Sequence, residues 1–175
     1  LLADNTSTEG FSNNASFLKV DPIYLYELFK VVEASVTASM TSRPDAFRCN
    51  PIAGVAVADP VCSRTLLQAF GRKAYRRSLT SVEMDQLAGF VSKEQTGGAV
   101  FRDAIGLAYQ RILLSPFFLF RTSFGNAGKP SEIANLTPHE YATRLAYFLW
   151  NSPPDEQLLA LADQNQLNTI GAIKA

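Results

Sequence analysis

The chain has 175 residues and 19.1 kDa, with 47% of residues hydrophobic and 18% charged, and sixteen Lys and Arg balance sixteen Asp and Glu. That length suits one domain, or one domain with an arm; the apolar fraction excludes a wholly disordered chain, and zero net charge offers no field for a polyanion, so nucleic acid is not an expected partner. One histidine and two cysteines, with no Cys-x-x-Cys pair, are too few ligands for a self-contained zinc site, and the Cys-x-x-Cys-His of covalent c-type haem is absent.

Residues 1–20 are polar and turn-rich and read as an extended arm laid over other protein. Their Asp, Asn and Glu lack the spacing of an EF-hand, so calcium is not assigned. A helical domain is expected over 21–175. Asp21-Pro22 supplies a cap and a proline at the first helical position. Leu25, Leu28, Phe29, Val32 and Val36 then form one apolar stripe on a helix running to about Met40. Residues 41–59 read as a loop holding Cys49. Asp59-Pro60 opens a second helix, with Cys62 in its first turn and Leu66, Leu67, Phe70 and Ala74 on one side. Thr80 and Glu83 have the spacing of a capping box, and the short helix after them ends before Gly97-Gly98.

The most apolar helix follows. Phe101, Ile105, Ala108, Tyr109, Ile112 and Leu113 make one face, and Val100, Leu107 and Leu114 are expected to widen it into a central, buried helix. Pro116 stops or kinks it, and Phe117 to Phe120 are expected to continue the core contact. Thr137-Pro138-His139-Glu140 repeats the cap, proline and N3 glutamate of a helix start, with Tyr141, Leu145, Phe148 and Leu149 as the buried stripe and Trp150 closing it. Ser152-Pro153-Pro154-Asp155 begins a last helix carrying Leu158, Leu159, Leu161 and Ala162. No alternating strand or fixed repeat appears. The fold class is therefore all-α, an irregular bundle of six or seven helices with an extended N-terminal arm.

The longest apolar run, Ile112 to Phe120, is broken at Ser115-Pro116 and falls short of the roughly 20 residues of a span, so no transmembrane segment is expected. With neither an initiating methionine nor a signal peptide, the chain reads either as one whose beginning is removed by processing or as an incomplete domain, a segment of a longer polypeptide.

Few residues nominate chemistry. Cys49 and Cys62 have twelve residues between them; a disulfide there would stabilise by about 3 kcal/mol through loop closure and imply an oxidising compartment, the alternative being two buried thiols. His139 lies at a helix start with no Ser or Cys nucleophile beside it in sequence. Arg72, Lys73, Arg76 and Arg77 surround Tyr75. They read as cations at a helix C-terminus, one of the arginines finding an internal carboxylate, rather than as a phosphate-binding patch. Glu140 and Arg144 have the spacing of a helix-surface ion pair. Trp150 beside two prolines reads as a core residue rather than a ligand platform, and the sequons at Asn5, Asn14 and Asn135 are weak signals. No pair of acidic residues is nominated for glycan hydrolysis, which needs two carboxylates about 5 to 10 Å apart.

Several stretches together resemble a known family. They are Gly10-Phe11-Ser12-Asn13-Asn14 with Leu18-Lys19-Val20-Asp21-Pro22, Phe70-Gly71-Arg72-Lys73-Ala74-Tyr75-Arg76-Arg77-Ser78-Leu79-Thr80, Ile112 to Arg121, and Leu136-Thr137 with Glu140 to Asp155. They are similar to the planctomycete-type exported proteins of unknown function that often carry a c-type cytochrome domain. The resemblance spans nearly the whole chain. It implies a periplasmic or extracellular bacterial location, favours the Cys49–Cys62 disulfide, and makes other protein segments or subunits the partners. It implies no cofactor in this chain, with c-type haem on another segment or partner, and no catalytic residue can be carried over. The expected role is a helical scaffold and docking module of a cytochrome-associated, electron-transfer protein. The alternative is a non-enzymatic structural subunit of a larger extracellular or membrane-associated assembly.

Overall fold

The computed structural model describes residues 22–47, 60–121, 125 and 135–167. Among these residues the chain is all-α, with seven helices and no strand. They are α1 (Pro22–Ser42), α2 (Pro60–Tyr75), α3 (Ser81–Thr96), α4 (Phe101–Leu113), α5 (Pro116–Leu119), α6 (Pro138–Trp150) and α7 (Glu156–Asp163), with a 3₁₀ turn at Pro44–Phe47. The expected arm, residues 1–20, and the caps Asp21 and Asp59 lie outside the described residues, as does Cys49. No helix among the described residues is long and apolar enough to cross a membrane.

The helix starts follow their side chains. Thr80 accepts from the Glu83 amide while the Glu83 carboxylate accepts from the Thr80 amide at 2.8 Å, a reciprocal cap, and Thr137 with Glu140 repeats it. Asp155 caps α7 by accepting from the Leu158 amide. Behind α3, Gly98 takes a φ of 100°, a conformation that costs glycine little. The helix expected to be short is in fact sixteen residues long, because nothing between the cap and Gly97 interrupts its register.

The main core forms where α4 lies against α1, α2 and α3. Ala104, Ile105, Ala108 and Ile112 are sealed from solvent, and Leu67, Leu87, Val91 and Val36 close over them from the other three helices. Met40 of α1 lies over Gly106, and α2 passes close to Leu79 at Gly71, where a Cβ would fall 2.8 Å from the Leu79 Cγ. The 3₁₀ turn within the expected loop brings Phe47 into this core, and the Tyr109 hydroxyl fastens it by donating to the Ala46 carbonyl at 3.0 Å. Burial pushes the Tyr109 phenol up to about 12, so it stays a donor at every ordinary pH.

Four apolar expectations are corrected. On α1, Leu28, Val32 and Val36 are buried but Leu25 and Phe29 face outward, since one neighbouring layer covers only a narrow stripe. Val100 and Leu107 do not widen the buried face of α4, because the three helices around it leave that flank open. None of Phe117 to Phe120 is buried; α5 is a single turn whose carbonyls meet Arg76, and the Phe117 ring lies against Tyr75 without entering the core. On α6 the buried residues are Ala142 and Ala146, whereas Phe148 is 86% and Trp150 64% exposed. The small alanine side lets α6 approach α7, where Leu159 and Ala162 are buried with Leu167 just beyond the helix, and no other helix among the described residues covers the large side.

Ile112→Ala is expected to cost about 2–5 kcal/mol in urea unfolding, and Val100→Ala to change stability by no more than about 0.5 kcal/mol. Equal effects would place the buried face of α4 elsewhere.

Candidate functional site: an arginine clasp

The last turn of α2 carries Arg72 and Lys73, Arg76 and Arg77 follow it directly, and three of these cations are drawn into internal contacts. Arg76 ends the helix with a φ of 58° and is only 7% exposed. Its guanidinium donates to the carbonyls of Phe117 at 2.5 Å, Phe120 at 3.0 Å and Phe118 at 3.4 Å. Those oxygens belong to the end of α5, where a helix leaves carbonyls unpaired and partly negative. Burial lowers the proton affinity of Arg76, an effect opposed by neighbouring Tyr147 of α6 and reinforced by nearby Arg121. Arg121 in turn lies over the Tyr147 ring, 4.6 Å from its centre.

Arg77 grips Glu83 through both carboxylate oxygens, at 2.8 and 2.7 Å. The same Glu83 serves the α3 cap, so Arg77 and the Thr80 backbone together hold its carboxyl down at about 2. Arg77 also stacks on Phe117 at 4.9 Å and Tyr75 at 5.5 Å, which fixes its plane. Arg72 reaches α7: its Nε lies 2.9 Å from Glu156 and its Nη2 2.7 Å from Asp163. Glu156 and Asp163 are seven residues apart and share a helix face, so one guanidinium aligns both turns of α7. Asp163 is held below the usual carboxylate range, first by Arg72 and then by its hydrogen bond with His139, whose Nε2 is 2.9 Å away.

These side chains border a cleft of about 210 Å³ whose walls include Arg76, Arg77, Arg121, His139, Glu140 and Thr143. Glu140 is engaged there by its cap and by the Gly125 amide at 3.1 Å. The donors of Arg76 and Arg77 already point at carbonyls and a carboxylate. This geometry makes the cleft a junction between helices rather than an anion cradle. It joins α2 and α5 on one side to α6 and α7 on the other.

That division coincides with the likeness to known families. Residues 62–123 match PSD5, a protein of unknown function (DUF1595), and residues 136–175 match PSD4, a protein of unknown function (DUF1592). The segment similar to PSD5 thus precedes the one similar to PSD4, and each match covers less than half of the chain. Neither the curated proteins nor the solved structures provide a match. Arg72, Arg76 and Arg121 all lie in the PSD5 segment, and their partners Tyr147, Glu156 and Asp163 all lie in the PSD4 segment.

The expected internal carboxylate for one arginine is therefore present twice over, for Arg72 and Arg77. His139 is not an exposed helix-start residue but a half-buried member of the Arg72–Asp163 network. Arg144 is exposed beside the apolar flank of α6, and Trp150, expected in the core, stands in solvent at the end of that helix. Cys62 is half-buried in the first turn of α2. What sequence reasoning missed is Arg76 as the centre of the junction. Its one local signal is a non-glycine residue at a helix end with no glycine beside it to take the left-handed turn.

Arg76→Met is expected to leave the α5 carbonyls without donors and to cost about 2–3 kcal/mol, measured by urea unfolding; a loss below about 0.5 kcal/mol would show the clasp to be dispensable. For Glu83 the folded carboxyl sits near 2, below its ordinary 4.5, so its contribution is complete above pH 4.5 and lost as pH falls toward 2. Glu83→Gln should flatten that part of the stability–pH curve and lower stability at pH 7 by about 1–2 kcal/mol.

Proposed function

We propose that this chain is a helical scaffold and docking module of an exported, cytochrome-associated protein, with c-type haem carried on another segment or partner and electron transfer as its setting. The observation that carries the reading is the uncovered end of α6. Phe148, Leu149 and Trp150 face solvent beside a groove of about 480 Å³ lined by Leu136, Tyr141, Arg144 and Leu145. Large aromatic side chains exposed together are the residue types that dominate binding energy at interfaces, and monomers seldom leave such patches open. The outward side of α1, with Ile23, Tyr26 and Phe29, offers a second uncovered strip. Both support a domain whose missing wall is more protein, a segment of a longer polypeptide whose residues 1–20 serve as an arm.

The two matched segments support the family setting without assigning a reaction. No catalytic residue is assigned to this chain. A Cys49–Cys62 disulfide belongs to the same proposal: Cys62 carries no free thiol, and Cys49 is the chain's other cysteine. An oxidising location, periplasmic or extracellular, follows from that bond. The uncovered strip on α1 also favours a second reading, a non-enzymatic structural subunit of a larger extracellular or membrane-associated assembly.

The native assembly captured through this chain is expected to show the Soret absorption of haem. Replacing Phe148 and Trp150 by Asp should cut recovery of the haem-bearing material about tenfold or more while leaving the helical circular dichroism unchanged. An assembly that lacks a Soret band yet dissociates with the same substitutions selects the structural subunit. Native material that is monomeric with or without them defeats both readings.

A further inference from the structure

A different cavity, of about 420 Å³, lies between α1, the 3₁₀ turn, α2 and α4. Its size falls within the roughly 300–1,000 Å³ typical of small-molecule sites. The floor is aromatic and aliphatic: Phe70 and Tyr109 stack at 3.9 Å with planes 15° apart, Phe47 tilts against Tyr109 at 5.2 Å, and Leu66 and Leu113 extend the surface. The one polar atom of that floor is already committed, since the Tyr109 hydroxyl donates to the Ala46 carbonyl.

Among the described residues the charged side chains lining the cavity are those of Arg43 and Lys73, and no carboxylate lines it. Both side chains are exposed, and neither takes part in an ion pair or a ring contact among the described residues. This sets them apart from Arg72 on α2 and Arg77 just beyond it, whose guanidiniums hold carboxylates. In a chain with zero net charge, two cations without an ion pair among the described residues, beside one apolar cavity, form a local excess of positive charge there. Lys73 is one helical turn from Ala69 and Phe70, so its ammonium and the aromatic floor are within reach of one ligand.

We infer that this cavity binds a small monocarboxylate with an apolar body, of the chemistry of a medium-chain fatty acid. The apolar body lies on the Phe70 and Tyr109 rings, removed from water, and the carboxylate is held by the Lys73 ammonium and the Arg43 guanidinium. A guanidinium suits a carboxylate because its paired N–H groups match the two oxygens. A cationic or neutral molecule of the same shape gains the burial but not the charge-assisted bonds. This site shares no lining residue with the clasp cleft or the groove on α6, so it goes beyond the proposed docking role.

Calorimetric titration of the intact protein with sodium decanoate tests the inference, with decyltrimethylammonium as the cationic control. Saturable one-to-one binding is expected, weakened about tenfold by Lys73→Glu and by Arg43→Glu. Ala69→Trp, at an exposed lining position, should fill the cavity and abolish binding with the helical circular dichroism unchanged. Binding that survives Ala69→Trp and Lys73→Glu belongs to another surface and overturns the inference. So does a control that binds as tightly as decanoate, or the absence of saturation below about 1 mM.

Discussion

The arrangement of this molecule depends on a buried guanidinium. Arg76 turns the chain out of α2 in the left-handed region and directs its donors onto the last carbonyls of α5. A residue with a Cβ takes that backbone conformation at a cost of about 1–2 kcal/mol, so something must hold it there. The hydrogen bonds to three carbonyls do so, and they also spare a buried charge from lacking partners. With the end of α2 held in this way, Arg72 and Arg77 leave it in different directions, one toward α7 and the other toward the start of α3.

The neutral charge of the chain acquires a structural meaning from this. Cations clustered at one helix end would repel each other if left in water. Here Glu83, Glu156 and Asp163 neutralise two of them, and the α5 carbonyls accept a third. The arrangement joins the PSD5 segment to the PSD4 segment by directional polar bonds, whereas the core of α1 to α4 is held by apolar burial. Polar junctions of this kind fix orientation more than they add stability, because desolvation offsets much of the Coulomb attraction. Such rigidity suits a surface that presents Phe148 and Trp150 to a partner.

Much of the architecture was legible in the residues. The Thr80–Glu83 and Thr137–Glu140 caps appear where their spacing places them, since a cap is decided by atoms within one helical turn. Period places Leu28, Val32 and Val36 of α1 and Ile105, Ala108 and Ile112 of α4 on their buried faces, although it put Leu25 and Phe29 there too. The candidate site was legible only in outline: four basic residues at a helix end, with a carboxylate expected for one of them.

What the sequence by itself determined is therefore local: helical class, the caps, and which side of α1 and α4 is greasy. Tertiary structure decided which greasy sides find a neighbour. On α6 the alanines pack and the aromatic residues stay in water, because close approach to α7 needs small side chains and no third helix among the described residues covers the rest. It also decided that Arg76 serves α5 while Lys73, three positions earlier, has no ion pair among the described residues. Residues along a helix point in directions 100° apart, so neighbours of like chemistry meet different surroundings, and only the packed fold sets what those are.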